Sequence, residues 1–134
     1  MILGVGTDLC EIGRIERALE RFGERFAKRI LVTSELERFR RRRKPAAYLA
    51  KRFAAKEAFS KALGTGIHFP VNWHNVWVEN DRSGKPSLKF SKALAALLKR
   101  RGIDNVHVSL TDEIGMACAF VVIEGKGRAG RRGR

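Results

Sequence analysis

The 134 residues, 44% hydrophobic and 31% charged, suit a single folded domain with its own core and exclude a disordered or low-complexity chain. Lys and Arg number 28 against 14 Asp and Glu, and the formal net charge of +14 favours an anionic partner: nucleic acid, an acidic protein or a phosphorylated small molecule. No apolar run reaches the length of a membrane span, and the start has neither the charged region nor the cleavage site of a secretory signal, so a cytoplasmic chain outside the membrane is expected.

Five of the basic residues fall in "GKGRAGRRGR", residues 125–134, which leaves +9 on the remaining body. That division predicts one domain over 1–124 and a basic, disordered tail over 125–134. Cys10 and Cys118 match no zinc spacing and read as small, reduced, buried residues.

"MILGVGTDL" reads as a short buried strand that delivers Asp8 at its end. Ile12, Ile15, Leu19, Phe22, Phe26 and Ile30 then recur in steps of three and four, the buried stripe of an amphipathic helix, with Gly23 as a point of bending or division. Beside that stripe run Arg14, Arg17, Arg21, Arg25 and Lys28, either a solvated face or a docking surface for an acidic partner.

"TSELERFRRRRK" predicts a second helix with Thr33 or Ser34 as its N-cap. Pro45 opens a long helix that ends near Gly64, as a left-handed glycine cap requires. "VNWHNVWVENDRSGKPSLKF" reads as a hairpin, "SKALAALLKRRG" as a helix capped by Ser91 and stopped by Gly102. "VHVSLTDE" and "GMACAFVVIE" close the chain as two strands joined around Glu113 to Gly115. The order predicts an α+β fold with a mainly antiparallel sheet packed against a long helix and shorter ones.

Glu57 and Lys61 lie four apart on one helix face, the favourable order for a surface ion pair. Asp8 is either an N-cap for the following helix or, with Glu57, one of two carboxylates from separate elements able to hold magnesium. The three histidines are scattered and make no zinc site; no Walker sequence, dinucleotide fingerprint or nucleophile elbow is present.

Four segments taken in order, "GVGTDLCEIGRIE" (4–16), "KRFAAKEAFSKALGTGI" (51–67), "SGKPSLKF" (83–90) and "HVSLTDE" (107–113), resemble the bacterial holo-acyl-carrier-protein synthases, the small phosphopantetheinyl transferases. The resemblance implies transfer of phosphopantetheine from coenzyme A to a serine of an acyl carrier protein in fatty acid biosynthesis, leaving adenosine 3′,5′-bisphosphate. It implies that Asp8 and Glu57 hold Mg2+ at the pyrophosphate and that Lys61 neutralises phosphate charge. The serine's proton goes to Glu57, or to a metal-bound water assisted by Asp8. Coenzyme A contacts are implied at Arg52, Lys56, Ser60, Gly64, Thr65, Gly66, Lys85, Pro86, His107, Ser109 and Thr111. Some members have serine-histidine where this chain has Thr111-Asp112-Glu113, so no histidine role is carried over there. Acidic carrier protein is expected on Arg14, Arg21 and Arg25, and a homotrimer with sites shared between subunits.

The rival reading is a basic nucleic-acid-binding domain. It calls for exposed aromatics among the basic residues, whereas Phe22, Phe26, Phe53 and Phe59 lie in predicted helices where core packing is expected. A catalytically silent relative would have no need of Asp8, Glu57 and Lys61.

Overall fold

The computed structural model describes residues 1–128, so most of the predicted tail, from 129 onward, lies outside the described residues. In chain order the elements are β1 (Ile2–Glu11), α1 (Ile12–Phe22), α2 (Glu24–Ile30), α3 (Thr33–Arg40) and α4 (Pro45–Leu63). Then follow β2 (Val76–Asn80), β3 (Pro86–Phe90), α5 (Lys92–Arg100), β4 (Ile103–Glu113) and β5 (Met116–Gly125). The α+β expectation holds, with the strands divided between a three-stranded antiparallel sheet, β1-β5-β4, and the separate β2-β3 hairpin.

Helix α4 is the centre of the molecule. Its alanines at 50, 54, 55 and 58 are fully buried, as are Leu49 and Phe59, and Arg52, Lys56 and Ser60 are buried with them, so it is enclosed nearly all round rather than on one stripe. One face lies across β1 and β5, where Ala117, Ala119, Val121 and Ile123 of β5 supply the buried side of the sheet. Strands bury alternate residues, and on β1 the positions facing the helix are Gly4, Gly6, Asp8 and Cys10. The glycines are there for space. A Cβ on Gly6 would stand 2.0 Å from the Ala58 carbonyl oxygen, and one on Gly4 2.0 Å from that of Ala62. Only a strand stripped of side chains at those two positions lets α4 come this close.

Several boundaries move. The first strand is ten residues long, so Asp8 sits inside it, opposite Ala119 of β5, rather than at its end. The first predicted helix divides at Gly23 into α1 and α2, one of the two outcomes expected of that glycine. Neither Thr33 nor Ser34 is the cap of α3: Val32 holds that position, and its N–H donates to the Glu35 carboxylate at 3.1 Å. Helix α3 stops at Arg40, short of the basic run to Lys44. The α4 cap is as expected, with Gly64 left-handed at φ 78° and its N–H donating to Ser60 and Lys61 carbonyls. Ser91 caps α5 through Leu94 N–H.

At the other end, β5 runs to Gly125, and the N–H groups of Lys126 and Gly127 both donate to the Gly102 carbonyl. Ordered pairing therefore continues past the expected boundary at 124. Cys10 is buried, Cys118 half-buried, and both are free thiols. Among the described residues no helix is long and apolar enough to cross a membrane.

Candidate active site

Asp8, Glu57 and Lys61 meet where β1 crosses α4. The Lys61 ammonium donates to Asp8 Oδ1 at 2.9 Å and to the Thr7 carbonyl at 3.1 Å. Asp8 therefore does not cap α1, whose N-cap Glu11 makes no side-chain cap bond either. Nor do Glu57 and Lys61 close the surface pair that their spacing allows, because Lys61 reaches the strand instead. Burial and then the Asp8 charge push the Glu57 carboxyl above its ordinary value, against a smaller opposing pull from Lys61. The hydrogen bond to Asp8 is the main reason the Lys61 ammonium lies above the usual lysine value.

Two carboxylates within electrostatic reach, backed by one ammonium, have the chemistry that a hard cation favours, without making a protein cage. Among the described residues no group of three His, Cys, Asp or Glu could enclose a metal. That donor set fits magnesium, which keeps waters and takes substrate phosphate oxygens beside one or two carboxylates.

The other predicted contacts divide by location. Gly64, Thr65 and Gly66 follow directly after α4, the N–H groups of all three converging on the Ser60 carbonyl. Ser60 itself is buried, its hydroxyl donating to the Glu57 carbonyl at 2.7 Å. Arg52 is also in the core. Its guanidinium lies 4.1 Å from the centre of the Tyr48 ring, and Nη2 donates to Asn80 Oδ1 at 2.9 Å. Lys56, expected at the phosphates, is fully buried instead, with all three of its N–H bonds used inside the protein. The physical reason is helical phase: residues 52, 56 and 60 share the α4 face turned away from solvent, while 57 and 61 lie beside β1.

Lys85 is exposed in the hairpin turn and Pro86 opens β3. The turn is fixed by Asp81, whose Oδ1 accepts from Ser83 N–H, the Ser83 hydroxyl and Lys85 N–H. His107, Ser109 and Thr111 alternate along β4 on the sheet face opposite α4, and His107 Nε2 lies 2.6 Å from Glu124 Oε1. One subunit thus does not bring these three to Asp8 and Glu57. Their exposed neighbours on that outer face include Val5, Leu9 and Phe120.

Arg14, Arg21 and Arg25 are all exposed. Phe22 departs from the expectation of core packing: it is 50% exposed, with the Arg21 guanidinium 5.2 Å from its ring centre. With Phe26, Arg25 and Arg29 it lines a shallow cleft. Sequence reasoning missed Phe22 because its periodicity fits the apolar stripe, yet it falls in the last turn before the break at Gly23. Glu35 was also missed; it is an acid in a charged run whose partner lies 21 residues away.

Fold and site define an α+β protein with a carboxylate pair at a strand–helix crossing. A family profile described as the 4'-phosphopantetheinyl transferase superfamily matches residues 4–119. The holo-[acyl-carrier-protein] synthase of Nitrosospira multiformis is 50% identical over 124 residues, covering 92% of this chain and 99% of that protein. The crystal structure of the synthase from Neisseria meningitidis is similar at TM-score 0.89 and 48% identity, over 92% of this chain and 99% of that one. The synthase from Bacillus anthracis in complex with CoA (3',5'-ADP) is similar at TM-score 0.78 and 37% identity, over 94% and 99% of the two chains. The chain belongs to the 4'-phosphopantetheinyl transferase superfamily, and is an enzyme of that family, as the four sequence segments imply.

Proposed function

We propose that this chain transfers the 4'-phosphopantetheine group of coenzyme A to a serine of an apo acyl carrier protein, with Mg2+, in the cytoplasmic synthesis of fatty acids. The observation that carries this reading is the meeting of Asp8, Glu57 and Lys61 at the β1–α4 crossing in a chain of this family. In the reaction the serine oxygen forms a bond to the β-phosphorus of coenzyme A. The bond from that phosphorus to the bridging oxygen breaks, releasing adenosine 3',5'-bisphosphate. Magnesium held by Asp8 and Glu57 would stabilise charge on the pyrophosphate oxygens.

The residues of the chain do the remainder. Glu57, with its carboxyl held above its ordinary value by burial, would accept the serine proton, directly or through water. Lys61 brings an ammonium to the charge that develops on the phosphates and the leaving oxygen. Gly64 to Gly66 offer backbone that a ligand can approach closely.

Arg14, Arg21 and Arg25, around the exposed Phe22, suit an acidic carrier protein, with charge speeding encounter and the ring adding apolar contact. A homotrimer would put the outer sheet faces together, covering Val5, Leu9 and Phe120 and carrying His107, Ser109 and Thr111 to a neighbouring subunit's site. What supports it is that apolar outer face and the separation of β4 from Asp8 within one subunit.

The test is intact-mass spectrometry of apo acyl carrier protein incubated with the enzyme, coenzyme A and magnesium. A gain of one phosphopantetheine, abolished by EDTA, is expected. Transfer that persists in EDTA would remove magnesium from the reaction, and no transfer to several carrier proteins would overturn the reading.

A further inference from the structure

We propose that the buried Lys56–Glu35 ion pair is a positioning device that fixes the rotation of α4 and so aims Glu57 at Asp8, an inference resting on the transfer reaction above. Lys56 and Glu35 are 0% and 1% exposed. The Lys56 ammonium donates to the Ile30 carbonyl at 2.6 Å, to Glu35 Oε1 at 2.7 Å and to the Trp73 carbonyl at 2.7 Å. Those three bonds use every donor an ammonium has. None is left for a phosphate.

Glu35 is as fully engaged. Its Oε1 also accepts from Val32 N–H, its Oε2 accepts from Val78 N–H at 2.9 Å, and its main-chain carbonyl accepts from the Tyr48 hydroxyl at 3.2 Å. One lysine of α4 is therefore tied to the end of α2, the start of α3, the segment before β2 and β2 itself. Burial, with a smaller push from the Arg52 charge, pulls the Lys56 ammonium below the usual lysine value, and the Glu35 charge is the main opposing effect.

Stability is a weak reason for such a pair, because apolar side chains of similar volume often serve a core as well. Direction is a better one. Successive side chains on a helix point about 100° apart, so whatever fixes Lys56 fixes the bearing of Glu57. The glycine contact of β1 with Ala58 sets how near α4 lies to the strand, but Gly4 and Gly6 offer no side chain to key its rotation there. Lys56 opposes that rotation from the other side. A two-carboxylate site works only when both groups are held to within about 0.5 Å and 10–20°.

The experiment measures steady-state transfer and thermal unfolding for the full chain and for Lys56→Met, Glu35→Gln and the double variant Lys56→Met/Glu35→Met. We expect Lys56→Met to lower kcat about a hundredfold, the usual cost of a small misplacement, with KM for coenzyme A within about twofold of the parent. Glu35→Gln keeps shape and removes charge; its kcat should fall about tenfold with the same unchanged KM. The double variant should regain the parent's melting temperature but not its kcat.

Three results would overturn the proposal: a raised KM for coenzyme A with kcat retained, a kcat that returns with stability in the double variant, or an undiminished kcat in Glu35→Gln. If Lys56→Met does not fold, Glu35→Gln decides. A parent chain that transfers nothing would instead overturn the reaction on which the inference rests.

Discussion

Lys61 Nζ stands 2.9 Å from Asp8 Oδ1, so an ammonium of α4 neutralises a carboxylate of β1, while Glu57, one turn earlier, has no salt bridge among the described residues. The carboxylate with the ammonium is the one that the strand supplies. The carboxylate without it is the one pushed toward the protonated form. Asp8→Ala and Glu57→Gln should each lower transfer by about 100- to 1,000-fold. The folded state should hardly notice, since partly exposed pairs contribute about 0–1 kcal/mol. Initial rates beside melting curves check both statements; near-parent rates in either variant would remove that residue from the chemistry.

Gly6 tests the close approach of strand and helix. Gly6→Ala places a methyl 2.0 Å from the Ala58 carbonyl oxygen, and backbone cannot turn aside as a side chain can. The variant should be less stable by about 1–3 kcal/mol. Its transfer rate should also fall at temperatures where it remains folded, because β1 must lift Asp8 away from Glu57. Urea unfolding and single-temperature kinetics on the same preparation separate the two effects. A destabilised variant with full activity would mean that the spacing is not what the site requires.

The first helix should act on one substrate only. Reversing Arg14, Arg21 and Arg25 to glutamate should raise KM for the carrier protein more than about tenfold at low salt and leave KM for coenzyme A unchanged. The difference should shrink as ionic strength rises, because exposed charges are screened within about 10 Å at 0.1 M salt. Equal loss for both substrates would place the carrier protein elsewhere.

Asp81 gives a pH dependence with a definite sign. Hydrogen bonds from Ser83 and Lys85 hold its carboxyl below the ordinary value of 3.8. The native state thus binds its proton less readily than the unfolded chain. Its contribution is present above the ordinary value and is lost as pH falls through the depressed one. Asp81→Ala should melt below the parent at pH 6, and the gap should narrow as the pH falls below the ordinary value of 3.8 and through the depressed one. A constant gap would mean that the side chain supports the turn through shape alone.

Ile114 sits at φ 47° in the β4–β5 turn and is 93% exposed, a combination that β-branched residues rarely adopt. Left-handed backbone costs such a residue about 1–2 kcal/mol. Ile114→Asn should therefore stabilise the subunit by about 1 kcal/mol, read as a higher melting temperature. A lower one would mean that the left-handed backbone at Ile114 carries no such cost.

Much of this protein could be read along the chain. The Glu57 helix could be bounded at both ends because Pro45 and Gly64 act locally, one by its fixed ring and the other by the absence of a Cβ. The hairpin turn and the Ser91 cap follow from equally short-range chemistry. Asp8, Glu57 and Lys61 could be gathered because their segments have a recognisable order, even though the spacing of Glu57 and Lys61 by itself argues for a pair that does not form.

The roles of Lys56, Arg52, Ser60 and Phe22 could not be read in this way. Sequence determines that residues 52, 56 and 60 share one face of a helix; it does not say whether that face meets solvent or protein. Burial is decided by what packs against the helix, and for Lys56 the deciding partners, Glu35, Ile30 and Trp73, are 17 to 26 residues distant. Phe22 fits an apolar period and is nevertheless half exposed, because it is the last residue of α1 and the chain turns at Gly23 before another turn could cover its ring. Local chemistry fixes which backbone each residue adopts. Only the tertiary contacts decide which charges face water, which are sealed in the core, and which are left facing a ligand.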